Sequence, residues 1–112
     1  MPGKEKNFEN KIKNFLKKEG CYFFKFWGTM YTRAGVPDLI ACVSGWFVGI
    51  EVKSDVGKPS PIQLQNIKEI IEEGGFAVVV RPENFEELKE MIWALKNGDL
   101  LKATKLEGGM LQ

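Results

Sequence analysis

Three side chains of this 112-residue chain are of types and at spacings that could do chemistry together: Asp38, Glu51 and Lys53. Glu51 and Lys53 lie two apart in WFVGIEVK (residues 46–53), a β-branched and aromatic run that reads as a strand. Alternation puts both on one face and gives Ile50 and Val52 to the other, apolar face. Asp38 opens the preceding strand, DLIACV (38–43), so a hairpin would bring it near Glu51 across the ladder. Two close carboxylates repel unless something neutralises them, and a hard divalent cation does so. Such an ion polarises a phosphodiester and lowers the pKa of a bound water. A neighbouring lysine can orient that water, help deprotonate it and stabilise the phosphorane charge. Each element alone has a plainer explanation, since Glu and Lys at a strand end are often a solvated edge and Pro-Asp is a common turn. Their conjunction in one order of strands favours hydrolysis of a phosphodiester.

Composition narrows the chemistry to the same residues. The chain has no histidine, which excludes Ser-His and Cys-His nucleophilic catalysis and His-ligated metals. Two cysteines, Cys21 and Cys42, are too few for a disulfide framework and make a zinc site an unfavourable reading. Both sit in apolar stretches, so buried thiols are expected. With 44% apolar and 28% charged residues, the length fits a single domain over residues 1–112. No apolar run approaches the ~18 residues of a membrane span, and the N-terminus lacks the shape of a signal peptide, so a soluble, intracellular protein is expected. The formal net charge of +1 hides a partition: residues 1–34 carry +5, residues 35–58 carry −1 and residues 59–112 carry −3. A basic first third fits an anionic partner met by one face, but on charge alone a solvated lysine-rich helix is the favoured reading.

The elements that must position these residues read as α-β-β-β-α-β-α. Phe8, Ile12, Phe15 and Leu16 form one apolar stripe on a helix over residues 4–19, stopped by Gly20. CYFFKFW (21–27) is a short aromatic strand whose Tyr22, Phe23, Phe24, Phe26 and Trp27 read as core or interface more readily than as base-stacking platforms. Residues 28–37 are a loop. Ser44-Gly45 is a tight hairpin turn between the next two strands. A polar loop over 55–59 precedes a helix on which Ser60 caps, Pro61 takes the first position and Gln63 completes a capping box. Ile62, Ile67, Ile70 and Ile71 would supply its buried side. FAVVV (76–80) is a strand buried on both faces. Asn84 and Glu87 are set to cap a last helix ending near Gly98. Residues 99–112 are a weakly patterned tail with no assigned structure. A hairpin followed by a helical crossover implies a mixed sheet with helices packed on it.

Gly35-Val36-Pro37-Asp38-Leu39, Glu51-Val52-Lys53 and Gly57-Lys58-Pro59-Ser60-Pro61-Ile62-Gln63 together resemble the PD-(D/E)xK nuclease superfamily. More narrowly they resemble the VRR-NUC family, in particular its small stand-alone phage and bacterial members, over about residues 8–80. The resemblance implies an α/β, restriction-endonuclease-like, mixed four-stranded sheet flanked by helices. It implies Asp38 and Glu51 as metal-binding carboxylates, the Val52 carbonyl as a further ligand and Lys53 as the catalytic lysine. Gln63 resembles the glutamine that the family places near the metal or the water, while also serving as a cap. An acidic residue on the first helix is expected as well. Glu9 fits best, with Ile12, Leu16 and Gly20 following it at +3, +7 and +11; Glu5 competes, and pairing of Glu9 with Lys13 at i+4 is the plainer reading.

The implied activity is that of a Mg²⁺-dependent endodeoxyribonuclease, with Mn²⁺ substituting. It would be structure-specific and cut four-way (Holliday) junctions, with flaps or other branched DNA as the alternative. Lys25, Arg33 and Lys58 surround the site in sequence and are candidates for phosphate contact. Branched DNA would be the partner, and a homodimer would present two sites to a two-fold junction. A non-catalytic nucleic-acid-binding module with the same fold and an assembly protein are the competing classes.

Overall fold

A two-residue turn sets the register of the sheet. Ser44 and Gly45 both take positive φ, 50° and 89°, as a type I′ turn requires. The flanking strands pair antiparallel from Val43↔Trp46 to Leu39↔Ile50. The structure, a computed structural model, describes residues 2–111, and of Pro2 only its place in the first helix. Its elements are α1 (Pro2–Lys18), β1 (Tyr22–Lys25), β2 (Leu39–Val43), β3 (Trp46–Val52), α2 (Pro61–Glu72), β4 (Phe76–Val80), a 3-10 turn (Pro82–Asn84), α3 (Phe85–Lys96) and α4 (Leu100–Gly109). Met1 and Gln112, the two ends of the expected domain, lie outside the described residues. The fold is the mixed α/β arrangement expected, in the order expected, with one more helix at its end.

The sheet order is β1-β2-β3-β4. β1, β2 and β3 run antiparallel in turn, and β4 joins β3 in parallel through α2. Alternation then divides the side chains. Leu39, Ala41, Val43, Val48, Ile50, Val52, Val78 and Val80 face the main core, with Phe8, Ile12 and Leu16 of α1 and Leu88, Met91, Ile92 and Leu95 of α3. Ala77 and Val79 face the other way, against Ile67, Ile70 and Ile71 of α2. Because Ile50 and Val52 belong to the main core, Glu51 between them projects toward the α2 side. Among the described residues no helix is long and apolar enough to cross a membrane.

Several local expectations are corrected. Residues 99–112 are not an unpatterned tail: Asp99 accepts a hydrogen bond from the Lys102 N–H and caps α4. The Glu107 carboxylate accepts from the Ala77 N–H at 2.9 Å, and the Met110 carbonyl accepts from the Val79 N–H at 3.2 Å. This segment covers the free edge of β4, which would otherwise be open for pairing. Asn84 makes no side-chain cap on α3, which is entered instead through the 3-10 turn at Pro82. Ile62 is 49% exposed, and what the first turn of α2 sets against the β1–β2 loop is its backbone, the Ile62 carbonyl lying close to Gly35. Cys42 is exposed and Cys21 only half-buried, since Cys42 points off the face opposite Ala41 and Val43, away from the main core. β1 stops at Lys25, two residues short of Trp27, and Tyr22, Phe24 and Trp27 are exposed.

Candidate active site

Asp38 is held against the motif strand by a single bond. Its Oδ2 accepts the Val52 N–H at 2.8 Å, and one step beyond the Leu39↔Ile50 pair the register sets it opposite Glu51. Glu51 is 1% exposed. Its Oε2 receives the Gln63 amide at 2.9 Å and lies 3.3 Å from the Lys53 ammonium. Its Oε1 is buried with no partner among the described residues. Burial, and then the charge of Asp38, push the Glu51 carboxyl up to about 8. Asp38, Glu51 and Lys53 are therefore gathered at one strand end, as alternation and the hairpin predict, and Gln63 joins them from the start of α2.

Gln63 reaches Glu51 because of how α2 begins. The Ser60 hydroxyl accepts from the Gln63 N–H at 3.3 Å, and Gln63 Oε1 accepts from the Ser60 N–H at 2.8 Å. The capping box uses the amide oxygen and leaves the amide nitrogen for Glu51. One side chain thus caps the helix and donates to the Glu51 carboxylate.

Glu9 has a different setting. It is 8% exposed, yet Oε1 lies 2.7 Å from the Lys25 ammonium and Oε2 3.2 Å from that of Lys13. Burial raises its pKa, but the bonds and charges of Lys25 and Lys13 outweigh that and hold it below the usual carboxylate value. Among the described residues no three acidic or cysteine side chains are grouped so as to hold a metal ion, and the partners of Glu9 are its two lysines. The competing residue, Glu5, accepts from the Ser54 N–H at 3.2 Å, one residue past Lys53. Glu5, Lys6, Glu9, Lys13, Lys25 and Trp27 line a groove of about 370 Å³ beside α1. On the other side of α1, Lys4, Asn7, Lys11 and Ser54 line a second one.

Lys25, Arg33 and Lys58 are not gathered into one cluster. Lys25 is committed to Glu9 and lies 5.0 Å from the centre of the Trp27 ring. Arg33 pairs with Glu69 on α2 at 2.6 Å in an exposed bridge. Lys58 is exposed on the loop before α2, next to Gly57, whose carbonyl accepts from Arg81 at 2.6 Å. Sequence reasoning missed Asn66, buried on α2, whose amide bonds the Ala34 and Ile62 carbonyls. The only available signal was an asparagine where the helical pattern calls for an apolar residue.

The donor set suits a hard cation. Two carboxylates with a buried oxygen left unpartnered match the oxygen ligands Mg²⁺ takes, usually one or two carboxylates with water completing the shell. An unpartnered buried carboxylate oxygen is costly unless a proton or a cation meets it.

A family profile described as archaeal Holliday junction resolvase (Hjc) matches residues 1–105. The solved structure of Hjc from Archaeoglobus fulgidus, a Holliday junction resolvase from an archaeal hyperthermophile, is similar with a TM-score of 0.53 and 21% identity. The match covers 68% of this chain and 66% of that one, and at this identity it shows the shared fold. No curated protein matches the chain. With the family profile spanning nearly its whole length, the chain belongs to the archaeal Holliday junction resolvase family of PD-(D/E)xK-type nucleases.

Proposed function

We propose that this chain is a structure-specific endonuclease that resolves four-way DNA junctions by metal-dependent hydrolysis of phosphodiester bonds. The observation that carries the proposal is Glu51: a buried carboxylate beside Asp38, braced by Lys53 and Gln63, with one oxygen unpartnered. The family supports the substrate class. The carboxylates of Asp38 and Glu51, with the Val52 carbonyl, would hold Mg²⁺ or Mn²⁺. When bound, that ion supplies an activated water and charge neutralisation at the phosphate.

The chain's own residues do the rest. Lys53 keeps its ammonium beside Glu51 Oε2, where it orients the attacking water and offsets charge on the phosphorane. Gln63 fixes the Glu51 rotamer through Oε2 and so leaves Oε1 for the cation. Glu9 is a positioning residue that holds Lys25 at the groove, and Lys25, Arg33 and Lys58 contact backbone phosphates. Water loses a proton to solvent as it adds to phosphorus, the P–O bond to the leaving oxygen breaks, and that oxygen takes up a proton, so that one product carries the phosphate and the other a hydroxyl.

Residues 1–112 act as one nuclease domain, working inside the cell on branched DNA. Two copies of a chain with one site each would cut a two-fold junction symmetrically. The likeness of the three motifs to VRR-NUC proteins then reflects kinship between branches of one superfamily, phage members included. The test is incubation with labelled four-way, flap and linear DNA, in Mg²⁺, Mn²⁺ and EDTA. Metal-dependent cutting of the junction, lost in Lys53→Ala, is expected. Binding without cutting would favour the non-catalytic module, and preference for the flap would move the substrate class.

A further inference from the structure

The loop between β1 and β2 is built to present two large apolar side chains to solvent beside the candidate site. Its legs are pinned. The Phe26 N–H donates to the Asp38 carbonyl at 2.9 Å, so the chain leaves and returns at a carboxylate of the site. On the returning leg Asn66 bonds the Ala34 carbonyl at 3.1 Å. Gly35 has φ 79°, and a Cβ there would lie 2.7 Å from both Ile62 O and Asn66 Nδ2. Only glycine lets this leg lie so close to the first turn of α2, the turn that carries Gln63.

The tip is closed on itself. The Thr32 N–H donates to the Thr29 carbonyl at 3.2 Å, the Thr29 N–H to Thr32 Oγ1 at 2.8 Å, and the Tyr31 N–H to Thr29 Oγ1 at 3.1 Å. What this ordered turn displays is Met30, 86% exposed, and Tyr31, 89% exposed, with Trp27 at 74% on the outgoing leg. Ordering backbone costs entropy, and here the turn's own hydrogen bonds hold a conformation that leaves Met30 and Tyr31 almost wholly in water. A nucleic-acid partner of the proposed function would take up apolar side chains here, and Lys25 and Arg33, which flank the loop in ion pairs with Glu9 and Glu69, could exchange those partners for phosphates.

We propose that Met30 and Tyr31 form a wedge that enters the open centre of a DNA branch and stacks on the bases there. Where the arms of a branch part at its centre, each flanking base pair exposes one face, so a side chain can reach it without separating a continuous stack. The inference rests on the junction-cutting function proposed above and adds to it the residues that distinguish branched from linear DNA.

The experiment uses the full chain with Ca²⁺ in place of Mg²⁺, so that binding is read without cutting. A four-way junction and a linear duplex of matched sequence carry 2-aminopurine beside the branch point or in mid-arm. The wild-type chain is expected to prefer the junction and to change the fluorescence at the branch but not in mid-arm. Met30→Ala/Tyr31→Ala is expected to lose the branch signal and to lower the junction-to-duplex affinity ratio by about tenfold or more, as for loss of a stacked base. Tyr31→Phe retains both. Unchanged thermal melting establishes that the variants fold.

A double variant with wild-type signal and ratio overturns the wedge. Equal weakening on junction and duplex overturns it too. So does Tyr31→Phe behaving like the alanine variant, because the phenyl face alone suffices for stacking. A change in the variant's mass in solution would assign the tip to contacts between copies, which also overturns it. A wild-type chain without junction preference defeats the function reading itself, and that result appears before any variant is made.

Discussion

Two glutamates of this chain are almost equally buried and are opposites in every other respect. Glu9 is 8% exposed and has a lysine on each oxygen. Glu51 is 1% exposed, shares Lys53 and Gln63 on one oxygen, and leaves the other with nothing. The first is held below the usual carboxylate pKa by Lys25 and Lys13, against its burial. The second is pushed up to about 8 by burial and Asp38. Burial alone therefore does not mark a functional acid. What marks it is burial with incomplete compensation, since the surrounding fold bears the cost of a carboxylate that only a cation or a proton completes.

The sharpest way to break this comparison is Glu51→Gln. Junction cutting is expected to fall at least ~10³-fold in single-turnover assays. In metal-free urea unfolding at pH 8, where the buried carboxyl begins to ionise, the variant should be as stable as the wild type or more so. A variant that cuts normally would make Glu51 a structural acid like Glu9.

The pH dependence separates the two next. For Glu51 the folded pKa lies above the unfolded value of 4.5, so the native state binds more protons between about 4.5 and 8. Metal-free stability should therefore fall as pH rises through that window, by an amount on the order of a few kcal/mol. Glu9 has the reverse sign. Its lowered pKa gives stability that is present above 4.5 and lost on acidification through the folded pKa. Urea unfolding at pH 5.5 and pH 8 in EDTA reads the Glu51 slope. Glu51→Gln should flatten it, and Mg²⁺ should offset the loss at pH 8.

Gln63→Glu divides capping from support of the site. Glutamate completes a capping box as well as glutamine does, but it would set a third acid against Glu51. Cutting is expected to fall by about 10–100-fold, with α2 intact by circular dichroism. Wild-type activity would reduce Gln63 to a cap.

Glu9→Gln is the mildest of the set. It should lower stability by about 1–3 kcal/mol in urea, because Lys25 and Lys13 lose their partner in a partly buried position. Cutting should fall less than in Glu51→Gln, through misplacement of Lys25. A stability change of the opposite sign would put both glutamates in one class.

The parts of the site legible in the sequence are those fixed by local rules. Strand alternation put Glu51 and Lys53 together and Ile50 and Val52 opposite, the Ser44-Gly45 turn set the register that faces Asp38 with Glu51, and capping chemistry placed Gln63. What stayed hidden depends on pairings far apart in the chain. Glu9 meets Lys25 across 16 positions, and Glu107 reaches the Ala77 N–H across 30. Neither partner announces itself by spacing. The segment after residue 99 looked unpatterned because its buried face holds Glu107 and Ala103 instead of a run of large apolar residues. Met30 and Tyr31 carry no periodic signal, since a loop that displays side chains to solvent obeys no alternation, and Trp27 reads with the aromatic strand before it although β1 stops at Lys25.

Metal binding by the two charge-neutral variants tests the central claim most directly. Mn²⁺ titrated into the wild type, Glu51→Gln and Glu9→Gln in a calorimeter at pH 8 should show binding in the first, loss of it in the second and retention in the third. Glu51→Gln binding Mn²⁺ as tightly as the wild type, or Glu9→Gln losing it as fully as Glu51→Gln, would contradict the assignment of the uncompensated glutamate as the cation receptor.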